Sequence, residues 1–191
     1  MVRPKAFDPD SVLDHAMKTF WSKGFMATTV QDLVESTGLG RGSLYNAFTS
    51  KEHLFRDALR RYDSVWTARQ EQVLAGPGSL RDRVSALLMT VVDEETTQGP
   101  PRGCLAVNAA LELADQDPAV RELVREVFVR MENALHEAIR VAQATGEVTA
   151  DDDARALALY VLNSMYGLRV LGKTASRESL VGVVEMVLRA L

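Results

Sequence analysis

The fold of this chain is decided by the stretch ATTVQDLVESTGLGRGSLYNAFTSKEH, residues 27–53. Two pairs near its start, Thr28 with Gln31 and Thr29 with Asp32, have the spacing of a capping box, in which side chains bond the free backbone N–H groups at the first turn of a helix. The apolar residues that follow recur on one face at helical spacing. The stretch therefore predicts that a short helix begins here.

A second short helix follows across a glycine turn. Gly38 and Gly40 end the first helix, residues 41–48 supply two further helical turns, and Ser50 caps the helix after them. Two short helices joined in this way form a helix-turn-helix, whose second helix can enter the major groove of DNA. An ordinary helical hairpin inside a bundle would give the same pattern.

The residue types around the second helix suit DNA binding. Arg41, Gly42 and Ser43 stand at its N-terminus, the end that reads base edges in a helix-turn-helix, and glycine permits close approach of the backbone. Hydroxyl groups, backbone N–H groups and an ammonium can hold phosphates at four further positions, namely Thr28, Thr29, Tyr45 and Lys51. Leu44 and Phe48, four residues apart, are expected in the core.

Residues 12–55 resemble the N-terminal domain of the tetracycline-repressor (TetR) family of transcriptional regulators. The matching run is continuous over Phe20–Phe55 and reads FWSKGFMATTVQDLVESTGLGRGSLYNAFTSKEHLF. The resemblance implies that Thr28 or Thr29, Tyr45 and Lys51 contact phosphates and that Arg41, Gly42 and Ser43 face bases.

The chain departs from the family pattern after Tyr45. The family often has two aromatic residues and a histidine before the phenylalanine, whereas this chain has Asn46 and Ala47 after the tyrosine. Asn46 can still hydrogen-bond and joins the predicted DNA-binding residues, but Ala47 cannot.

Charge and composition agree with a DNA-binding protein of the cytoplasm. The net charge is −4, but residues 1–61 hold nine Lys and Arg against seven Asp and Glu, so a modestly basic head precedes an acidic body. The first 20 residues lack the apolar run of a secretory signal, and no stretch approaches the roughly 18 apolar residues of a membrane span. The single cysteine fits a reducing compartment.

Apolar periodicity predicts helices throughout, hence an all-α fold. We expect an N-terminal three-helix helix-turn-helix domain over residues 1–50 and a C-terminal helical domain for effector binding and dimerisation over residues 51–191. The segments expected to be helical run from Asp8 and Pro9 to Gly24, over 51–73, 80–96 and 104–114, from Pro118 to about Thr145, from a negative first turn at Asp151 to Asp153 to about Leu171, and onward from Ser176. Residues 75–79 read as a linker and residues 96–103 as a loop.

The helix over residues 154–171, ARALALYVLNSMYGLRVL, is apolar or small on nearly every face. A helix of this kind is buried on two sides, and the second covering surface is expected to be another copy of the protein. With the final helix it would form a four-helix interface of a homodimer, the arrangement that the resemblance also implies. The alternative is a central core helix in a monomer.

A helical body joined to a DNA-binding head suggests a pocket for a small-molecule effector. Its expected lining combines apolar, aromatic and a few polar side chains from the middle helices: Trp66, Met89, Cys104, Asn108, Phe128, Met131, Tyr160, Met165 and Tyr166. Asn108 is the best single candidate, because an amide among apolar neighbours needs a partner. The alternative for each residue is plain core packing.

Cys104 has two interpretations. It follows Arg102 and Gly103 at a helix start, where the thiolate is favoured and the side chain becomes reactive, and some members of the family sense electrophiles through a cysteine. The other interpretation, which we adopt, is a small buried apolar residue that closes the helix start.

An enzyme is not expected, because the three histidines are scattered and the motifs of hydrolases, P-loops and metal sites are lacking. We expect no cofactor and no metal, and Glu94 and Glu95 are expected to be solvated beside a loop. The predicted function is a ligand-responsive transcriptional regulator, a repressor released from a palindromic operator by a small apolar or aromatic effector. The alternatives are a regulator that senses electrophiles through Cys104 and a helical small-molecule-binding protein without DNA binding.

Overall fold

The computed structural model describes residues 8–97 and 99–191, and the secondary structure of these residues is helical without a strand, as predicted. Gln98, in the predicted loop, lies outside the described residues. The helices are α1 Pro9–Lys23, α2 Val30–Thr37, α3 Arg41–Phe48, α4 Lys51–Tyr62, α5 Ala68–Leu74, α6 Leu80–Thr96, α7 Leu105–Leu113, α8 Pro118–Ala144, α9 Ala154–Leu171 and α10 Arg177–Arg189, with a π turn at Asp63–Thr67 between α4 and α5.

The predicted helix starts are confirmed by side-chain caps. The side chain of Asp8 accepts the N–H of Asp10 at the start of α1, whose first residue is a proline. The side chain of Ser50 accepts the N–H of His53 at the start of α4. Ser176 caps α10 in the same way, whereas Asp153 is the cap of α9, so Asp151 to Asp153 precede this helix and do not form its predicted first turn. Each cap satisfies a backbone donor that the first helical turn leaves free.

The predicted helix over residues 51–73 is interrupted. The π turn Asp63–Thr67 lies between α4 and α5, so the helix widens by one residue there. Tyr62 is the last buried residue before the turn and Thr67, five residues later, is the next. The wider turn thus shifts the register of the helix by one residue, and no proline or glycine marks it in the sequence.

The first compact unit comprises the described residues up to Val65 together with Leu105–Val124. Its core contains one or more buried residues from each of α1 to α4 and α7, including Phe20, Leu33, Leu44, Phe55 and Ala109. The rings of Phe20 and Phe55 meet edge to face with centroids 5.0 Å apart, a favourable geometry for an aromatic pair.

The second compact unit comprises Trp66–Cys104 and Arg125–Leu191. Leu88, Leu135, Val161 and Val184, from α6, α8, α9 and α10, belong to its continuous apolar core. The two units are defined by packing within the chain and not by function. The predicted functional division at residue 50 therefore stays a prediction.

A buried ion cluster joins α6 to α9 in the second unit and corrects the expectation that Glu94 and Glu95 are solvated. Arg169 is 3% exposed, and its guanidinium lies 2.9 Å from Oε1 of Glu95 and 2.6 Å from Oε2 of Glu94. Glu95 is also 3% exposed and accepts the backbone N–H of Gly103 at 3.1 Å. Because a buried charge is stable only when paired, the arginine determines where both carboxylates lie.

The last two helices combine a buried and an exposed apolar face. Leu157, Val161 and Leu168 of α9 pack into the core of the second unit. Large apolar side chains of α9 and α10 remain exposed, namely Leu159, Tyr160, Val170, Leu171 and Met186. Across residues 8–97 and 99–191, no helix combines the length and apolar character that crossing a membrane requires.

Candidate nucleic-acid interface

The start of α2 is fixed by the predicted capping box of Thr29 and Asp32. The Thr29 hydroxyl accepts the N–H of Asp32 at 3.1 Å, and the Asp32 carboxylate accepts the N–H of Thr29 at 2.8 Å. Gly38 ends the helix with a φ of 70°, a left-handed conformation that glycine adopts without strain. Local chemistry therefore sets both ends of α2.

α3 presents an exposed polar face. Arg41, Gly42, Ser43 and Asn46 are exposed, while Leu44 is buried as predicted. A methyl group added at Gly42 would meet no atom within 4 Å, so open space faces this position. The residues predicted to face bases, in the N-terminal turn of α3, are thus accessible to a partner.

Tyr45 and Lys51 lie beside this face. Tyr45 is half-buried, and the guanidinium carbon of Arg41 lies 5.9 Å from its ring centroid. The ammonium of Lys51 lies 4.2 Å from the centroid of the Phe25 ring, within cation–π range. Partial burial lowers the pKa of Lys51, and the nearby carboxylates of Glu52 and Glu112 act in the opposite direction.

The two threonines before α2 differ in environment. Thr28 is 1% exposed, and its hydroxyl donates to the carbonyl of Gly24 at 2.5 Å. Thr29 is exposed at the start of α2. A phosphate contact by either residue stays a prediction, and the geometry favours the hydroxyl of Thr29.

Lys23 joins α1 to this start of α2. Its ammonium lies 2.5 Å from Oδ1 of Asp32. The hydrogen bond from Lys23, with those from the backbone and side chain of Thr29, lowers the pKa of Asp32 from 3.8 to about 2. The cap is therefore ionised across the ordinary pH range.

The turn between α3 and α4 contains a strained residue that the sequence did not reveal. Thr49 has φ 64° and ψ −51°, and among the described residues it is the non-glycine with positive φ. The N–H of Ser50 donates to the carbonyl of Phe48 at 2.6 Å, which makes this a tight γ-turn. A β-branched residue is disfavoured in this conformation, so the strain is held by α3 and α4 on either side.

Glu112 of α7 is a second residue that sequence patterns could not locate. Its Oε2 accepts the backbone N–H of Met26 at 2.9 Å, although the two residues are 86 positions apart. Both belong to the first compact unit. Such a contact depends on tertiary packing, and a lone glutamate in an apolar helix gives no local signal for it.

The predicted effector residues are not all brought together. Met131 and Met165 are 1% exposed in the core of the second unit, where Met89 packs against the same cluster. The rings of Phe128 and Tyr166 have centroids 4.9 Å apart.

The remaining effector candidates lie in other surroundings. Tyr160 is 43% exposed, and the guanidinium of Arg69 lies 5.0 Å from the Trp66 ring centroid. Asn108 is half-buried on α7, which belongs to the first unit. Cys104 is 4% exposed and precedes α7. Effector contacts by any of the nine residues stay a prediction.

Comparison with known sequences places both parts of the chain. Residues 12–58 match the family described as bacterial regulatory proteins, tetR family, and residues 80–182 match the tetracyclin repressor-like, C-terminal domain. The HTH-type transcriptional repressor ComR of Escherichia coli (strain K12) is 32% identical over 98% of this chain and 90% of its own length.

Solved structures of similar proteins support the same family assignment. The TetR family transcriptional regulator CifR, in a cysteine-substituted variant complexed with 26 bp of double-strand operator DNA, is 38% identical, covers 98% of both chains and superposes with a TM-score of 0.87. The reduced form of NemR from E. coli, at 21% identity and 93% coverage of both chains, has the same fold with a TM-score of 0.84. With a helix-turn-helix at α2 and α3 and a matching helical C-terminal region, the chain belongs to the tetR family of bacterial regulatory proteins.

Proposed function

We propose that this protein is a transcriptional repressor that binds operator DNA through α3. The exposed N-terminal turn of α3, with Arg41, Gly42 and Ser43 accessible and Leu44 anchored in the core, carries this proposal. Phosphate contacts would come from Thr29, Tyr45 and Lys51 around the same helix. The 38% identity to CifR over 98% of both chains, a regulator solved with operator DNA, supports the same role here.

We further propose a homodimer formed through α9 and α10. The support is the large apolar side chains that both helices expose, since exposed apolar surface on a monomer is typical of an interaction site. A two-fold dimer presents two recognition helices, so its operator would be an inverted repeat.

Release of the operator would follow binding of a small apolar or aromatic effector in the second unit. The paired rings of Phe128 and Tyr166 support this, because both are half-buried and aromatic walls favour aromatic ligands. The effector can favour the released state only to the extent that it binds that state more tightly.

A cysteine sensor is the second candidate. CifR was solved as a variant with substituted cysteines, and NemR was solved in a reduced form. These two structures make Cys104 a candidate for a residue that responds to electrophiles. Burial of Cys104 supports a structural role. Alkylation of the folded dimer, followed by mass spectrometry and a DNA-binding assay, separates the two. Rapid modification of Cys104 with loss of DNA binding would establish the sensor, and slow uptake without loss supports the small-molecule effector.

The decisive experiment selects DNA from a random duplex pool with the purified protein and sequences it. An enriched inverted repeat is expected. Absence of enrichment, with a light-scattering mass near the 21.0 kDa of one chain, would leave only the reading as a helical small-molecule-binding protein.

A further inference from the structure

The turn between α1 and α2 holds the backbone that leads into the proposed phosphate contacts. Gly24 ends α1 with a φ of 80°, its N–H donates to Phe20, and its carbonyl accepts the Thr28 hydroxyl. Thr29, the next residue, caps α2. Any displacement of residues 24–28 would therefore move the start of α2.

A side chain of α7 bonds the middle of this turn. Oε2 of Glu112 accepts the N–H of Met26 at 2.9 Å. A side chain at Gly24 would collide with the same carboxylate, because a Cβ built there lies 3.1 Å from Cδ of Glu112 and nearer still to Oε1. Glycine at position 24 thus allows the carboxylate to approach the backbone closely.

The same turn supports Lys51. Phe25, adjacent to Met26, places its ring 4.2 Å from the Lys51 ammonium. Glu112 also acts electrostatically on this lysine. One carboxylate of α7 therefore bonds the turn before Thr29, and its charge also acts on the ammonium at the start of α4.

We propose that Glu112 is a positioning residue for DNA binding, which holds residues 24–28 through the Met26 amide and so keeps Thr29 and Lys51 in place for phosphates. This inference rests on the proposed operator binding. It also makes α7 a lever on the head, because any shift of Glu112 relative to Met26 removes the bond. The bond itself is a charge-assisted hydrogen bond, stronger than a neutral one.

Four variants separate the hydrogen bond from the charge. Glu112→Ala removes both, Glu112→Gln keeps an acceptor without the charge, and Glu112→Asp keeps the charge but withdraws it by one methylene. Asp115→Asn is the matched control, because Asp115 is exposed just after α7 and lies 3.9 Å from a guanidinium nitrogen of Arg121, at the outer limit of an ion pair. Loss of a negative charge alone should slightly strengthen binding to DNA.

Affinity for the selected duplex is measured by fluorescence anisotropy, and amide exchange of Met26 by NMR in the free protein. Glu112→Ala and Glu112→Asp should bind more weakly, by up to about a hundredfold, since the energy of a hydrogen bond to a charged group sets the upper limit of the loss. Glu112→Gln should lie between these two variants and the unmodified chain, because a neutral acceptor bonds the Met26 N–H less strongly than a carboxylate, and Asp115→Asn should bind at least as tightly as the unmodified chain. The Met26 amide should exchange faster in the two weak variants only.

Equal affinity of Glu112→Ala and Glu112→Gln would overturn the proposal. If the alanine variant fails to fold, the affinity of the aspartate variant decides instead, because this variant keeps a charged carboxylate at position 112 of α7. Failure of the unmodified protein to bind any selected duplex would instead refute operator binding, before the variants are compared.

Discussion

Arg56 and Asp117, 61 positions apart, join α4 to the start of α8 in the first unit. Nη2 of Arg56 donates to Oδ2 of Asp117 at 2.7 Å and Nε donates to the same oxygen at 3.3 Å. The other carboxylate oxygen accepts the N–H groups of Ala119 and Val120. Asp117 is therefore an ion-pair partner and a helix cap at once.

This double role predicts unequal effects of truncation. Asp117→Ala should lower the free energy of unfolding by about 1–2 kcal/mol, because it removes a cap and an ion pair. Arg56→Ala should lower it by about 1 kcal/mol or less, since only a partly exposed ion pair is lost. Urea denaturation of both single variants and the double variant checks this. Equal effects of the two single changes would show that the cap contributes nothing.

Gly42→Ala should separate stability from DNA binding. Alanine replaces glycine within α3, and no atom lies within 4 Å of the added methyl. The free energy of unfolding should therefore rise by up to about 1 kcal/mol, and the melting temperature should rise with it. The same methyl would stand where DNA bases approach, so operator affinity should fall at least tenfold. Calorimetry and anisotropy together test the claim. Undiminished affinity would mean that the N-terminus of α3 does not closely approach DNA.

Lys51 and Arg41 should affect binding in different ways. Lys51→Ala should weaken binding to all duplexes alike and reduce the slope of log K against log salt by about 1, as loss of one phosphate contact predicts. Arg41→Ala should relax preference at one or two base pairs. Arg60→Ala is the control, because Arg60 is exposed and paired with Asp57 at 2.9 Å. A salt slope that changes equally for Lys51→Ala and Arg60→Ala would contradict the assignment.

Val170→Asp should dissociate the dimer without unfolding the subunit. Val170 is 53% exposed on α9, so a charge there remains solvated in the monomer but would be buried in the interface. Light scattering should report half the mass of the unmodified protein, with unchanged helical circular dichroism. Gln72→Glu, an exposed change on α5, is the charge control. A dimer that persists in Val170→Asp would place the interface elsewhere.

The cap of α2 should lose its contribution only in strong acid. The folded pKa of Asp32 is about 2, below its ordinary 3.8, so the stabilisation is complete above about pH 4 and is lost as the pH falls through 2. Lys23→Met should raise this pKa, because the first cause of the shift disappears. Asp82 has the same box with Ser79, so its lowered pKa should not respond to Lys23→Met. NMR titration of both carboxyl groups measures the difference.

The sequence predicted those features that depend on neighbouring residues. Caps at Ser50 and Ser176, the glycine stop at Gly38 and the helix-turn-helix rest on signals within one or two turns. The relation of Glu112 to Met26 and of Arg169 to Glu95 depends on packing between distant segments, which no periodicity encodes. The positive φ of Thr49 was equally hidden, because threonine is a residue that such turns disfavour.

The π turn Asp63–Thr67 also has a consequence for the lineage of this chain. A π turn accommodates one residue more than an α-helical turn over the same span. Insertion of a single codon into an older, uninterrupted helix would produce such a turn. Relatives whose helix is continuous at this point should therefore lack one residue here. A one-residue gap inside an otherwise ungapped helical segment would be the mark of that event.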